Sequence, residues 1–342
     1  MREIHRILDA NFNRAREALR VIEDCGRFVL NDPAITAMAK HFRSDLKDLL
    51  DELPYDELIT SRDTPGDVGR ELSSPGEIDR QTVRDVATAA CKRLTEALRT
   101  IEEYSKILAP KVAESIERMR YDAYTLEQRL TSRFLTAERF AEVKLYAMIS
   151  ASLCRNASLR EVARGAVAGG AEALQLREKD SHDDVFLAMA AELRELTDET
   201  GKLLIINDRP DIAAIVGADG VHLGQNDLPI SEARKLLRPD AIIGRSTHSL
   251  AEAKSAINEG ADYIAVGPIF ETRTKDYPTV GPELLSEIMA EVSLPVVAVG
   301  GITSANAGQL VSLGARCVAV CGDICNATNP KAATQALSKL LP

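Results

Sequence analysis

The sequence predicts two domains of different class: an α/β domain over residues 137–342, folded as a (β/α)8 TIM barrel, preceded by an all-α domain over residues 1–136. Three observations carry this. Eight short apolar runs alternate with helix-period segments from about Lys144 onward. The first 136 residues show a helical rhythm throughout, interrupted by one polar segment containing Pro and Gly. The chain has 342 residues and is 45% hydrophobic, and at roughly 100–200 residues per domain that is material for two cores.

In the amino-terminal part, helices are expected on both sides of a long loop, SRDTPGDVGRELSSPGEID (61–79). An internal repeat accompanies them: NRAREALRVIED (13–24) returns as KRLTEALRTIEE (92–103), an offset of 79 residues. At 100° per residue Ala15, Ala18, Leu19 and Ile22 share one arc, while Arg14, Glu17, Arg20 and Glu23 lie largely outside it. Repeated apolar residues need only repeated packing. A repeated polar face has two explanations: a ladder of (i, i+3) ion pairs, or a pseudo-twofold site where the two helices meet.

The strands of the second domain are read from KLYAMIS, ALQLREK, LLIIND, GVHLGQ, AIIGRST, DYIAVGPIF, PVVAVGG and CVAVCGDI. Between them lie helical segments such as LREVARGAVAGG, DDVFLAMAAELRELTDETG, SLAEAKSAINEG and PELLSEIMAEV, several ending in a capping Gly. Eight strands and eight helices in about 200 residues match a barrel near its smallest size, with a doubly wound open sheet as the alternative.

The formal net charge is −10, divided as −3 over residues 1–136 and −7 over 137–342. Neither half offers the basic field that recruits nucleic acid, so anionic ligands must be held by local clusters. The start, MREIHRILDANFNRARE, lacks the apolar core of a signal peptide, and no run approaches the ~18 apolar residues of a membrane span, so a cytoplasmic location is expected. Six cysteines show no CxxC pair, and reduced thiols are the expectation. Cys317, Cys321 and Cys325 fall at equal spacing, but no His lies near them, which favours packing over metal binding.

Barrels of this kind keep their chemistry at the carboxyl ends of the strands. Strand two ends in Gln175, Arg177 and Lys179, whose period of two places them on one face. Strand three ends Asn207-Asp208, and strand four leads through His222 to Asp227. Asp208 and Asp227 therefore reach one rim, where two carboxylates repel unless a cation separates them. Mg²⁺ suits such a pair; capping of the following helices is the other reading. Strand five brings Ser246, and strand six leads into Thr272, Arg273, Thr274 and Lys275, two hydroxyls and two cations that can wrap a phosphate. Gly300-Gly301 after strand seven and Cys321-Gly322 after strand eight offer backbone N–H groups to a second anion.

QLREK (175–179), INDRPDIA (206–213), GVHLGQND (220–227), GRSTHS (244–249), GPIFETRTK (267–275) and VGGITSANA (299–307) together resemble thiamine-phosphate synthase over residues 140–342. The resemblance implies a transferase joining a hydroxymethylpyrimidine diphosphate to a thiazole phosphate with loss of pyrophosphate. It implies Mg²⁺ on Asp208 and Asp227, and pyrophosphate on Arg177, Lys179, Asn207 and Lys275. Gln175 and Ser246 would face the pyrimidine and the reaction centre, while Thr272, Thr274 and the amides around Gly301 and Cys321-Gly322 would hold the thiazole phosphate. His222 and His248 are read as orienting or packing residues.

RILDANFNRAREALRVIEDCGRF and RDTPGDVG (62–69) resemble a helical domain similar to an alternative hydroxymethylpyrimidine-phosphate kinase family. That resemblance makes Arg14, Arg20, Arg93 and Arg99 candidate phosphate ligands and Asp63 and Asp67 candidate metal or base residues. No GxxxxGK[ST] loop is present. The rival readings are a thiazole tautomerase or other phosphate-binding barrel isomerase, and a non-catalytic helical module that pairs subunits into a homodimer.

Overall fold

The computed structural model describes residues 1–68, 79–272 and 277–342. The chain divides into two compact units, Met1–Phe134 and Leu135–Pro342.

The first unit is helical. Helix α1 (Arg2–Phe28) packs against α2 (Pro33–Asp51), α3 (Tyr55–Thr60) and α4 (Val83–Leu108), and α5 (Pro110–Ala141) begins here. Leu8, Phe12, Ala15, Leu19 and Ile22 recur at spacings of three and four, which sets one face of α1 into the core. Asp32 caps α2 by accepting from the amides of Ala34 and Ile35, and Thr82 with Asp85 forms a capping box on α4.

The sequence repeat lies on α1 and α4, and its polar face resolves into two matching ion clusters. Glu23 and Glu102, equivalent in the repeat, are each 2% exposed. Arg20, Arg27 and Arg43 surround Glu23; Arg99, Lys106 and Arg120 surround Glu102. Burial works to raise the Glu102 carboxyl, but its bond to Arg120 and the charges of Arg120 and Arg99 hold it below the usual range. The repeated pair Arg20 and Arg99 thus helps to neutralise the repeated buried carboxylates Glu23 and Glu102.

The second unit is a closed barrel of eight parallel strands in sequence order: β1 (Leu145–Ile149), β2 (Ala173–Leu176), β3 (Leu203–Asn207), β4 (Gly220–Leu223), β5 (Ile242–Thr247), β6 (Tyr263–Val266), β7 (Val296–Val299) and β8 (Cys317–Val320). The crossovers carry α6 (Leu159–Ala168), α7 (Asp183–Thr200), α8 (Pro210–Ile215), α9 (Ile230–Leu236), α10 (Leu250–Glu259), α11 (Gly281–Glu291) and α12 (Ala307–Ser312). After β8 come the short α13 (Gly322–Cys325) and α14 (Pro330–Ser338). Gly201 and Gly260 end α7 and α10 in the left-handed conformation that glycine adopts without strain.

Alternate strand residues face outward to the helices, among them Leu145, Leu174, Ile206 and Val221. The others face inward: Tyr146, Ala173, Ile205, Ile242, Tyr263, Val297 and Cys317. Phe140, near the end of α5, stacks on Tyr263 at 4.1 Å between centroids and so closes the amino-terminal end of the barrel. Nearby, Asp219 accepts from Arg139, Arg194, Arg238 and the Leu204 amide.

Candidate active site

The register determines which side chains meet at the carboxyl end. Met148 pairs with Gln175, Asn207 with His222, His222 with Gly244, Ser246 with Ala265, and Val299 with Ala319. These positions lie two residues beyond the inward core layer, or four for Ser246 after Ile242, so by the period of two they also face inward. Apart from Gly244, they line a cavity of about 750 Å³ that also includes Arg177, Thr272, Gly301, Cys321 and Gly322.

Polar groups on its floor form one hydrogen-bonded chain. Gln175 Nε2 donates to the Tyr146 hydroxyl at 2.9 Å, which lies 3.0 Å from the Tyr263 hydroxyl. Tyr263 lies 2.9 Å from His222 Nδ1, and His222 Nε2 lies 2.9 Å from Ser246 Oγ. Burial pushes both phenols well above their ordinary pKa, so they act here as neutral O–H groups. Gly244 makes room for this chain, since a Cβ there would enter the Tyr263 ring. Gln175 is 2% exposed, and its Oε1 is buried without a hydrogen-bond partner. A buried acceptor left open in a cavity wall is a place for a ligand donor.

Of the sequence-predicted residues, Gln175, Arg177, Asn207, Ser246, Thr272, Gly301, Cys321 and Gly322 line this one cavity. Thr274 and Lys275 lie outside the described residues. Lys179 is exposed and stands apart from the lining. The two-residue alternation expected there holds only while the ladder continues, and β2 ends at Leu176.

Asp208 and Asp227 sit on neighbouring strand ends, half-buried, beside rather than in the cavity lining. Asp208 has φ +63°, and its amide donates to the His222 carbonyl at 2.8 Å. Asp227 Oδ2 accepts from the Gly224 amide at 2.5 Å. The N-cap positions of α8 and α9 are Arg209 and Pro229, one and two residues beyond the two aspartates. Among the described residues no three His, Cys, Asp or Glu side chains converge as a metal site. A two-carboxylate oxygen set fits Mg²⁺, which takes one or two carboxylates and fills its other positions with water and phosphate oxygen.

On the far side of the mouth, Gly300 and Gly301 adopt φ of +100° and +64°, and a Cβ on Gly301 would run into the Glu271 carbonyl and Phe270. The Ser304 amide donates to Asp323 at 3.0 Å, which ties the β7 and β8 loops together. His248 also lines the cavity; its ring stacks on Tyr277 at 4.2 Å and lies 3.0 Å from Glu252. Sequence reasoning did not single out Tyr146, Tyr263, Arg155, Asn156 or Glu271, all of which reach this cavity or its floor. Inward parity on β1 and β6 was the available signal for the two tyrosines.

In the first unit a smaller cavity of about 320 Å³ is lined by Asn13, Arg16, Glu17, Arg20 and Arg43. Only Arg20 of the residues expected there takes part. Arg14 reaches Asn11 at 3.4 Å, Arg93 is exposed, and Arg99 is engaged by Glu102 and Glu103. Asp63 accepts from the Gly66 amide at 3.0 Å, and Asp67 is exposed. Arg62 clamps Asp9 through two bonds of 2.7 Å, which fixes the start of that loop on α1.

Residues 145–324 match the family described as thiamine monophosphate synthase, and residues 6–129 match the ThiD2 family. The thiamine-phosphate synthase of a Nostoc species is 42% identical over 335 residues, covering 98% of this chain and 93% of the relative. That of Thermosynechococcus vestitus is 42% identical over 341 residues, covering 99% and 95%. Among solved structures, the thiamine phosphate pyrophosphorylase from Pyrococcus furiosus is 37% identical with a TM-score of 0.54, covering 58% of this chain and 95% of that one. No helix among the described residues is long and apolar enough to cross a membrane.

Proposed function

The chain belongs to the thiamine monophosphate synthase family, and from that premise we propose that its barrel joins a hydroxymethylpyrimidine diphosphate to a thiazole phosphate with Mg²⁺, releasing pyrophosphate. The observation that carries this reading is the convergence of two unlike polar surfaces on one cavity. Gln175, Arg177 and Asn207 come from β2 and β3, while Gly301, Cys321 and Gly322 follow β7 and β8 across the mouth.

On this reading the buried Oε1 of Gln175 accepts from the pyrimidine amino group, and Ser246 faces the methylene. The bond from methylene to diphosphate oxygen breaks, and the bond from thiazole nitrogen to methylene forms. Arg177, Lys179, Asn207 and Lys275 take up the charge growing on the departing pyrophosphate. Asp208 and Asp227 would hold Mg²⁺, whose chemistry there is charge neutralisation of the diphosphate. Thr272, Thr274 and the amides around Gly301 and Cys321-Gly322 hold the thiazole phosphate so that its nitrogen points at the methylene. That nitrogen carries no proton, so His222 positions Ser246 and need not act as a base. A monophosphate isomerase would have no use for Arg177, Lys179 and two rim carboxylates together.

For residues 1–134 we propose phosphorylation of the pyrimidine monophosphate, supported by the match to the ThiD2 family and by the kinase resemblance of the α1 sequence. The location is the cytoplasm, and a homodimer is the proposed assembly. One experiment tests both activities on the full chain. With diphosphate, thiazole phosphate and Mg²⁺, thiamine phosphate and pyrophosphate should form in equal amounts. With the monophosphate and ATP in place of the diphosphate, thiamine phosphate should form only if the kinase reading holds. Its absence there, with synthesis intact, leaves the helical unit as a pairing module.

A further inference from the structure

We propose that Cys321 and Cys325 form a thiol modification site at the barrel mouth, where a low-molecular-weight disulfide oxidises the pair and closes the cavity. The reaction proposed above uses backbone amides around Cys321 and neither thiol.

The site is built by the end of β8. Cys317 faces the barrel interior, Cys321 reaches the cavity wall four residues later, and Cys325 follows after one helical turn. The Cys325 amide donates to the Cys321 carbonyl at 2.9 Å. One such turn separates the two Cα atoms by roughly 6 Å, within the Cα span of a disulfide. The Cβ atoms of helical (i, i+4) residues stand about 5–6 Å apart, so closing the bond requires the short α13 turn to tighten by about 1 Å or more. A third thiol stands against them. Cys154 Sγ donates to the Ser150 carbonyl at 3.1 Å and Cys325 Sγ to the Met148 carbonyl at 3.4 Å, acceptors two residues apart at the end of β1. Cys325 stands between the other two thiols, near enough to interact with both.

This order assigns the roles. Cys321 is partly open to the cavity and is held below an ordinary thiol pKa by the bond from Cys325 and then by the Arg177 guanidinium, against the opposing effect of burial. Cys325 is pulled down by Cys154, but its bond to Cys321 and its burial push it up to about 12. Cys321 is therefore the attacking group and Cys325 the resolving one. The remaining thiols are protected: burial pushes Cys25 up to about 11, Cys91 up to about 12 and Cys317 higher still.

The chemistry balances without a further reactant. The Cys321 thiolate attacks one sulfur of the small disulfide, forming a mixed disulfide and expelling one small thiolate. Cys325, losing its proton, then attacks Cys321 Sγ, forming the Cys321–Cys325 bond and expelling the second small thiol. The protein loses two electrons and two protons, and the small disulfide gains both. Either product places a changed group beside Gly322, where the thiazole phosphate is proposed to bind.

The test treats the full chain with oxidised glutathione, maps the cysteine peptides and measures turnover. The expected result is a linked Cys321–Cys325 peptide whose accumulation matches the loss of turnover, both reversed by dithiothreitol. Cys325→Ser should keep basal turnover and stop at the glutathione adduct on Cys321. Unmodified Cys321, a bridge from Cys154 to Cys325 that leaves Cys321 reduced, or a Cys321–Cys325 bridge with undiminished turnover each overturns the proposal. Should the variant fail to fold, peptide mapping of the unaltered chain decides, and that mapping reads the site whatever reaction the barrel performs.

Discussion

His222 Nε2 lies 2.9 Å from the Ser246 hydroxyl, and this contact ends a chain of donors that begins at the Gln175 amide. Because Gln175 Nε2 can only donate, Tyr146 must pass its own proton toward Tyr263, and Tyr263 must pass its proton to His222 Nδ1. His222 is then neutral with its proton on Nε2, and Ser246 accepts from it. Nitrogen NMR of ring-labelled protein should report this single tautomer. Tyr263→Phe should produce a mixture of tautomers and cost about 1–3 kcal/mol of stability, because it removes a buried hydroxyl that accepts from Tyr146 and donates to His222. A ring protonated only on Nδ1 in the unaltered protein would reverse the whole chain.

Asp227 Oδ2 accepts from the Gly224 amide, and on the proposed reading its second oxygen serves the cation. Asp227→Asn keeps an oxygen for the turn while removing the charge. Turnover at limiting Mg²⁺ should fall at least ~100-fold, or about 2.7 kcal/mol of barrier, with a parallel rise in the Mg²⁺ concentration for half-maximal rate. Unchanged Mg²⁺ dependence would remove Asp227 from the metal role.

The eight strands were legible because strands covered on both faces read as nearly continuous apolar runs, and the first polar residues after them mark the mouth. Arg177 and Asn207 follow from that rule. Lys179 does not, since alternation carries no information about where a ladder stops. Nor does the floor chain: Tyr146, Tyr263 and His222 stand on β1, β6 and β4, and they meet only when the sheet closes. The helical repeat shows the same division. Arg20 and Glu23 could be paired by spacing alone, but Arg43 on α2 and Arg120 on α5, which complete the two clusters, are set by tertiary packing.

Asp219 gives the barrel a pH-dependent anchor. Burial opposes its charge, but the Leu204 amide and the Arg194 and Arg139 guanidinium groups together hold its carboxyl below the usual range. A depressed carboxyl contributes stability that is fully present above its unfolded value of about 3.9 and is lost as pH falls through the folded value. Asp219→Asn should therefore destabilise the chain at pH 7 by about 2–4 kcal/mol, less than a fully buried pair because its arginines are partly exposed. The gap between variant and parent should narrow as pH drops below 4, measured by denaturant unfolding across that range. A gap independent of pH would assign the effect to lost packing.

Gly301 tests the separation of the two anion sites. Its φ of +64° costs an alanine about 1–2 kcal/mol, and the added Cβ would press on the Glu271 carbonyl and Phe270, shifting the chain that leads to Thr272. Gln175, Arg177 and Asn207 stand on β2 and β3, away from this loop. Gly301→Ala should thus raise KM for the thiazole phosphate at least ~10-fold, about 1.4 kcal/mol of binding, while KM for the pyrimidine diphosphate stays within about twofold. Steady-state kinetics with each substrate varied in turn distinguishes the outcomes, because a selective loss of diphosphate binding would mean that the glycine rim holds the leaving group and the Arg177 side holds the phosphomonoester.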